Sequence, residues 1–396
     1  MKVLCVFGKH QYGDPSRGLG IEYAAFVPTL RRLGHHVVHF ESWDRRRHAD
    51  FGELNRALLD VVERERPDAL LFVQTDVEIW LETMAAISSR GDVATVSWTT
   101  DDSWKYEQGP RFIGRYSHAM ATTCPSAVPK YHRDGIRSVL LTQWAANSEF
   151  LRPPLSAAQC QIPVAFVGAA HGNRSDRIER LRRHGIEVTC FGHGWPKGPV
   201  RAEEIPEIIR KSVISLNFAN ARGERQIKAR TFEVPGAGGF LLTESVPALD
   251  QFYAIGREVA IYTNECELAQ QIRYFLDHPA ERNAVAEAGF ERTKRDHTYE
   301  NRLAEVLTFA VAAKGQWLKH RPPLKFPPTN ECQQAHRMNG GLRILRSVLI
   351  KTGTLIWGPK RGPRAARRLV FELSWRLVGA RTFTAKGLPG RMFPEL

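Results

Sequence analysis

The chain runs twice through one alternation. Short apolar runs rich in β-formers, at residues 3–7, 36–40, 69–73, 93–97 and 138–142, are separated by stretches with apolar residues at helical spacing. A second series starts afresh at 164–168 and continues at 187–191, 213–218, 239–243 and 259–262. Strands that alternate with helices pair into parallel sheets covered by those helices, so each series predicts an α/β layer of its own. Helices are expected at 21–33, with Pro28 as a kink, and at 53–65, 175–184, 265–276 and 279–295. Residues 143–162, which include Pro153 and Pro154, lack a period and read as the connector. Two such sheets facing each other bring the carboxyl ends of both strand sets to one cleft, where ligands of open α/β sheets bind.

The length of 396 residues fits this doubling, with domains expected at 1–150 and 151–315 and a tail at 316–396. Hydrophobic residues make up 43% and charged residues 25% of the chain, ordinary globular usage, and no run approaches the ~20 apolar residues of a membrane span. The apolar run after Met1 is too short for a secretory segment, so a cytoplasmic chain is expected. Its six cysteines, Cys5, Cys124, Cys160, Cys190, Cys266 and Cys332, are scattered without metal-ligand spacing and read as reduced thiols.

The net charge of +14 is unevenly spread. Residues 340–396 hold twelve Lys or Arg against two acids, a net +10, which leaves +4 for the preceding 339 residues. A nearly balanced body with a basic appendage points to an anionic surface met by the appendage, and away from nucleic acid as substrate. The apolar stretches 342–350 and 369–378, interleaved with arginine and lysine, suit an anionic leaflet as well as they suit helices packed on the body.

The segment richest in chemistry is 228–243. Lys228, Arg230 and Glu233 stand on a short predicted helix that passes through a turn containing Gly238 into a buried strand. A nucleotide diphosphate needs cations for its phosphates and, nearby, a carboxylate that accepts from ribose hydroxyls; positions three apart on a helix supply both on one face. An ordinary surface ion pair with a glycine cap uses the same residues. Residues 166–174 form a strand, a loop and a helix start in which Gly168 and Gly172 let backbone approach a phosphate and Arg174 adds charge, although any βα turn can hold two glycines. There is no GxGxxG fingerprint, which argues against a dehydrogenase. Asn217 ends another strand, before the loop 220–226, and is a candidate partner for base or sugar, although a strand-end asparagine is equally often a turn former.

In the first half, Asp101 and Asp102 follow a buried strand and are the candidate catalytic carboxylates, for the proton of an acceptor hydroxyl or a developing positive charge; a helix cap with a solvated acid is the plainer reading. Residues 74–78 form a second acidic loop of the same kind. The loop containing Gly18 and Gly20 is flexible in composition, and His297 reads as capping and packing.

Arg230-Thr231-Phe232-Glu233, then Gly239-Phe240-Leu241-Leu242-Thr243, Leu249, Phe252, residues 258–262, and His297-Thr298-Tyr299 with Arg302 together resemble the CgeB-like, spore-maturation-type group of GT-B glycosyltransferases. The resemblance spans roughly residues 160–312. It implies a GT-B fold, two Rossmann-like domains with the acceptor side first and the donor side second, plus a basic helical tail. It implies that Glu233 contacts the nucleotide ribose, that nearby cations hold the diphosphate, and that the Gly18–Gly20 loop closes over acceptor or phosphates. Arg225 stands where relatives often have a second glutamate, eight positions before Glu233. GT-A enzymes use carboxylate pairs with a divalent metal but lack the doubled architecture, so no metal and no cofactor are expected. The resemblance thus implies a hexosyltransferase-type, metal-independent enzyme. Its donor would be a nucleotide sugar and its acceptor an envelope glycan, a lipid-linked intermediate or a glycoprotein, with the enzyme cytoplasmic or peripheral on the membrane. The alternative is a nucleotide-diphosphate-binding protein of the same fold without turnover.

Overall fold

The first apolar runs fold as six strands: β1 (Lys2–Val6), β2 (His36–Phe40), β3 (Ala69–Phe72), β4 (Ala94–Thr99), β5 (Ala119–Thr122) and β6 (Val139–Leu141). All pair in parallel, in the order β2-β1-β3-β4-β5-β6. Between them lie α1 (Ile21–Arg32), which runs through Pro28, α2 (Phe51–Glu65), α3 (Leu81–Ser88) and the short α4 (Asp102–Lys105), α5 (Pro110–Ile113) and α6 (Val128–Arg133). Leu4, Val6, Leu70 and Phe72 from the strands pack with Leu58, Trp80 and Met84 from the helix side. β5 is the strand that the apolar pattern does not announce. Its Ala-Met-Ala-Thr sequence has little β preference, yet all four residues are buried and it is paired on both edges.

The second series forms β7 (Ile162–Val167), β8 (Thr189–Phe191), β9 (Ser212–Asn217), β10 (Leu241–Glu244) and β11 (Ala260–Tyr262). They are again all parallel, in the order β11-β10-β9-β7-β8. The helices are α7 (Arg174–Arg183), α8 (Ile205–Arg210), α9 (Arg230–Gly236), α10 (Glu265–Asp277) and α11 (Pro279–Asp296). α10 starts where Asn264 accepts from the Glu267 amide at 3.0 Å while the Glu267 carboxylate accepts from the Thr263 amide at 2.7 Å, so two amides at the helix start are satisfied reciprocally.

The remaining helices are α12 (Tyr299–His320), α13 (Thr329–His336), α14 (Gly340–Val378) and α15 (Leu388–Met392). This computed structural model describes residues 1–219, 224–320 and 327–394, so the first four residues of the 220–226 loop lie outside the described residues. The chain divides into two units, Met1–Thr142 with Leu303–Leu396, and Gln143–Arg302. Three successive blocks ending in a separate tail are therefore not what folds: the C-terminal helices join the first unit. The reason is a set of buried anchors that the basic composition hides. His336 lies 4.9 Å from the Trp80 ring and pairs with the Ala385 carbonyl at 3.1 Å, Gln333 donates to the Gly52 carbonyl at 3.1 Å, and the Ala385 amide donates to the Glu82 carboxylate at 3.2 Å.

Candidate functional site

In each sheet the strand order reverses once, between β1 and β3 in the first unit and between β7 and β9 in the second. At such a reversal the helices that follow the two strands depart to opposite faces and leave the strand ends open, which is where ligands of this fold class sit.

In the second unit this geometry selects the loop after β7 and the segment between β9 and α9. Gly172 takes φ +67°, and α7 then begins with Arg174. The Arg174 guanidinium lies 5.3 Å from the Phe166 ring centre and donates to the Ala169 carbonyl at 3.1 Å, while its Nε has no partner among the described residues. A Cβ on Gly168 would stand 3.0 Å from the Phe166 ring and 3.4 Å from Arg174, so this glycine makes room for that stacking. Burial, and after it the positive charges of Arg230 and Arg177, lower the affinity of Arg174 for its proton. Arg174 thus feels the positive charges of both neighbours, an effect that an anion would relieve.

The other two guanidinium groups, and Lys228 beside them, have partners of their own. Arg230 opens α9 and meets Glu233 at 2.8 Å, one turn on, both partly exposed at 21% and 30%. Lys228, just before the helix, donates to the Gln226 side-chain oxygen at 3.3 Å. Arg177 is buried, stacks 4.6 Å from the Phe218 ring, and donates to Glu244 at 2.9 Å. Glu244, at the end of β10, also accepts from the Ala219 amide at 3.0 Å and faces Arg225 at 3.6 Å. Asn173, Arg177, Arg225, Glu244, Thr263, Asn264 and Glu265 line an open hollow of about 370 Å³. Sequence reasoning missed Arg177 and Glu244. The signal was there in part, since Arg177 is one turn from Arg174 and Glu244 directly follows the apolar run 239–243.

Two donor-side candidates also serve packing. Asn217 is buried and its amide nitrogen donates to Thr231 at 3.3 Å and Thr243 at 3.0 Å, so it ties β9 to α9 and β10. Gly238 takes φ +75°, and a Cβ there would lie 2.5 Å from the Arg152 carbonyl oxygen. Its constraint is close packing against the connector. His297 is structural as expected: Arg302 donates to its Nδ1 at 3.0 Å, and Nε2 meets the Phe252 carbonyl at 2.7 Å.

In the first unit the two aspartates separate. Asp102 is buried, and its Oδ2 accepts from Thr99 at 2.5 Å, Thr122 at 2.6 Å and Tyr131 at 3.0 Å, with Oδ1 unpaired among the described residues. Burial raises its pKa. Asp101 is 39% exposed and faces Lys105 at 3.5 Å. In the second acidic loop, Glu78 is wholly buried and accepts from the amides of Thr75 and Asp76 at 3.0 and 2.8 Å, a loop brace. Gly18 takes φ +81° in open space. Gly20 caps α1, its amide donating to the Lys9 carbonyl at 2.9 Å, and the loop closes on itself through the Gln11 amide and the Gly18 carbonyl at 3.1 Å.

Two histidines give the fold a defined acid limit. His118 accepts from the Thr95 amide at Nδ1 and pairs through Nε2 with the Ser88 carbonyl, which requires the neutral ring. Burial pushes both His118 and His297 down from 6.5 to about 4. Folded-state values below the unfolded one mean that the contribution of these two histidines is full above pH 6.5 and is lost as pH falls through about 4. Urea midpoints measured across that window are expected to fall with acid, and His118→Gln is expected to flatten the slope; a midpoint constant down to pH 4 contradicts both assignments.

The glycosyl transferase-like family model matches residues 174–308, the stretch that carries the arginine cluster, Glu233 and His297. No curated protein matches the sequence. Among solved structures, the chain is similar to HepE of Anabaena in complex with UDP and glucose, at 12% identity and a TM-score of 0.55, over 78% of this chain and 99% of that one. It is similar to the sucrose-phosphate synthase of Thermosynechococcus elongatus, at 12% identity and a TM-score of 0.56, over 81% and 100%. A glycosyltransferase from Rickettsia africae follows at 10% identity and 0.55, over 81% and 99%. At these identities the likeness is one of architecture, and it settles that architecture: the chain has the GT-B fold, two Rossmann-like units each built on a parallel sheet, with a C-terminal helical stretch.

Proposed function

We propose that the protein transfers a glycosyl group from a nucleotide-diphosphate sugar to an acceptor hydroxyl. The observation that carries this reading is the placement, at the strand-order reversal of the second unit, of Arg174 and Arg177 on the first turn of α7 and of Arg230 at the start of α9, with Glu233 one turn from Arg230. The family model covers the same stretch, and HepE, of like fold, binds UDP and glucose. In the reaction the acceptor oxygen bonds to the anomeric carbon, the bond from that carbon to the diphosphate breaks, and the acceptor proton passes to a base. Arg174, Arg230 and Lys228 hold the leaving diphosphate, so no divalent cation is needed. Glu233 accepts from the ribose hydroxyls. The Arg230–Glu233 ion pair keeps both groups satisfied before the donor arrives, and each changes partner on binding. Asp101, the exposed carboxylate of its pair, is the candidate base, and Asp102 braces the loop that presents it.

The motif at 230–243 resembles the CgeB-like group, a resemblance that supports a hexose as the transferred sugar and a glycan, lipid-linked intermediate or protein as acceptor. The basic C-terminal helices favour a peripheral position at an anionic membrane, where such acceptors are found. A protein that binds the nucleotide without turnover is the competing reading.

Glu233→Ala is expected to weaken UDP binding by roughly tenfold to a hundredfold, the worth of a charge-assisted hydrogen bond, with the thermal midpoint unchanged because Glu233 is partly exposed. Calorimetric titration decides it, and unchanged affinity removes Glu233 from the donor site.

A further inference from the structure

α14 is two helices joined by a tight turn. Gly358 takes φ +79° and ψ 170°, and Pro359 and Pro363 follow. Five positions before Gly358 and four after it, the two backbones touch: a Cβ on Gly353 would lie 2.7 Å from the Gly362 carbonyl oxygen, and one on Gly362 would lie 2.4 Å from the Thr354 amide nitrogen. The glycine pair closes the hairpin, so residues 354–361 form its tip. That tip carries three consecutive exposed apolar side chains, Leu355 at 88%, Ile356 at 60% and Trp357 at 55%. Lys351, Lys360, Arg361 and Arg364 are exposed around it, and no acidic residue occurs between Glu331 and Glu372. No helix among the described residues is long and apolar enough to cross a membrane.

Three apolar side chains in a row at a protruding turn, in a segment whose only charges are positive, complement a surface that is apolar within and anionic at its face. We propose that this hairpin is a shallow insertion device, in which Leu355, Ile356 and Trp357 enter the interfacial region of an anionic bilayer while Lys351, Lys360, Arg361 and Arg364 hold lipid phosphates. Tryptophan suits that depth, with an apolar ring and one N–H donor. The inference rests on the reading that the C-terminal helices meet a membrane, and it holds whether or not the protein transfers sugar.

The test is co-sedimentation of the full chain with equimolar phosphatidylglycerol and phosphatidylcholine vesicles. The variant Leu355→Ser/Ile356→Ser/Trp357→Ser alters only exposed side chains and is expected to fold. Its partitioning should drop by about tenfold or more, with UDP affinity intact. Quenching of tryptophan emission by lipids brominated near the headgroup should be present in the wild type and reduced in Trp357→Phe. If the serine variant partitions like the wild type while Lys360→Glu/Arg361→Glu/Arg364→Glu releases the protein, the membrane reading stands and insertion of the tip is overturned. If the full chain ignores anionic vesicles, both fall. If instead the chain self-associates through the tip and the serine variant is monomeric, the surface belongs to a second copy and the proposal is likewise overturned.

Discussion

Replacing Arg174 and Arg230 together by alanine is expected to lower UDP affinity by at least about a hundredfold, the largest loss of binding from any two surface-accessible changes in the second unit. Each guanidinium that donates to a phosphate contributes roughly 1.5–3 kcal/mol, and about 1.4 kcal/mol is a factor of ten. The mutual repulsion felt by Arg174 makes the same point from the unliganded side, because burial and the charges of Arg230 and Arg177 already lower its proton affinity. Removing either cation relieves its neighbours, so the double variant is expected to unfold at a temperature close to that of the wild type. Arg182→Ala, which breaks only an exposed pair with Glu179, is the control and should bind normally. Calorimetry with UDP separates the cases: a double variant with wild-type affinity puts the diphosphate elsewhere.

The second large effect is on stability. Asp102→Ala removes the common acceptor of Thr99, Thr122 and Tyr131 from the interior of the first unit. Leaving buried donors without partners costs about 3 kcal/mol, with the hydroxyl rotors able to recover part of it. Asp102→Asn keeps an acceptor oxygen without the buried charge and is expected to stay within about 1 kcal/mol of the wild type at neutral pH. The raised pKa of Asp102 sets the sign of its pH dependence: its contribution is full below the ordinary aspartate value and is lost as pH rises through the folded value. Asn substitution removes that dependence. Equal urea midpoints for the Ala and Asn variants would mean that the three hydroxyls do not depend on this carboxylate.

These outcomes mark where the sequence was readable. Fully buried parallel strands must be apolar along their whole length, so runs such as 69–73 and 239–243 stood out. β5 did not, because alanine and methionine carry no strand signature and only the gap between β4 and β6 makes them one. In the site, the Arg230 and Glu233 pairing was visible because it is local, three residues on one helix face. Arg177 with Glu244 is 67 residues apart in the chain, and nothing in a one-dimensional pattern joins them. The partners of Asn217 are as hidden for a related reason: Thr231 and Thr243, which its amide nitrogen meets, stand 14 and 26 residues away in the chain. The C-terminal helices were hidden by their own charge, since His336, Phe383, Ala385 and Met392 bury themselves among residues whose surroundings are basic.

The central claim, sugar transfer from a nucleotide sugar, is tested most directly by incubating the full chain with UDP-, GDP- and dTDP-hexoses in EDTA and measuring the nucleoside diphosphate released, with and without a panel of glycan and lipid-linked acceptors. The account predicts release from at least one donor, accelerated by an acceptor, insensitive to chelation, and reduced about tenfold to a hundredfold by Asp101→Asn with nucleotide affinity unchanged. Tight nucleotide binding with no release from any donor would make the protein a binder without turnover, and release that requires added Mg²⁺ or Mn²⁺ would contradict the role given to the arginines.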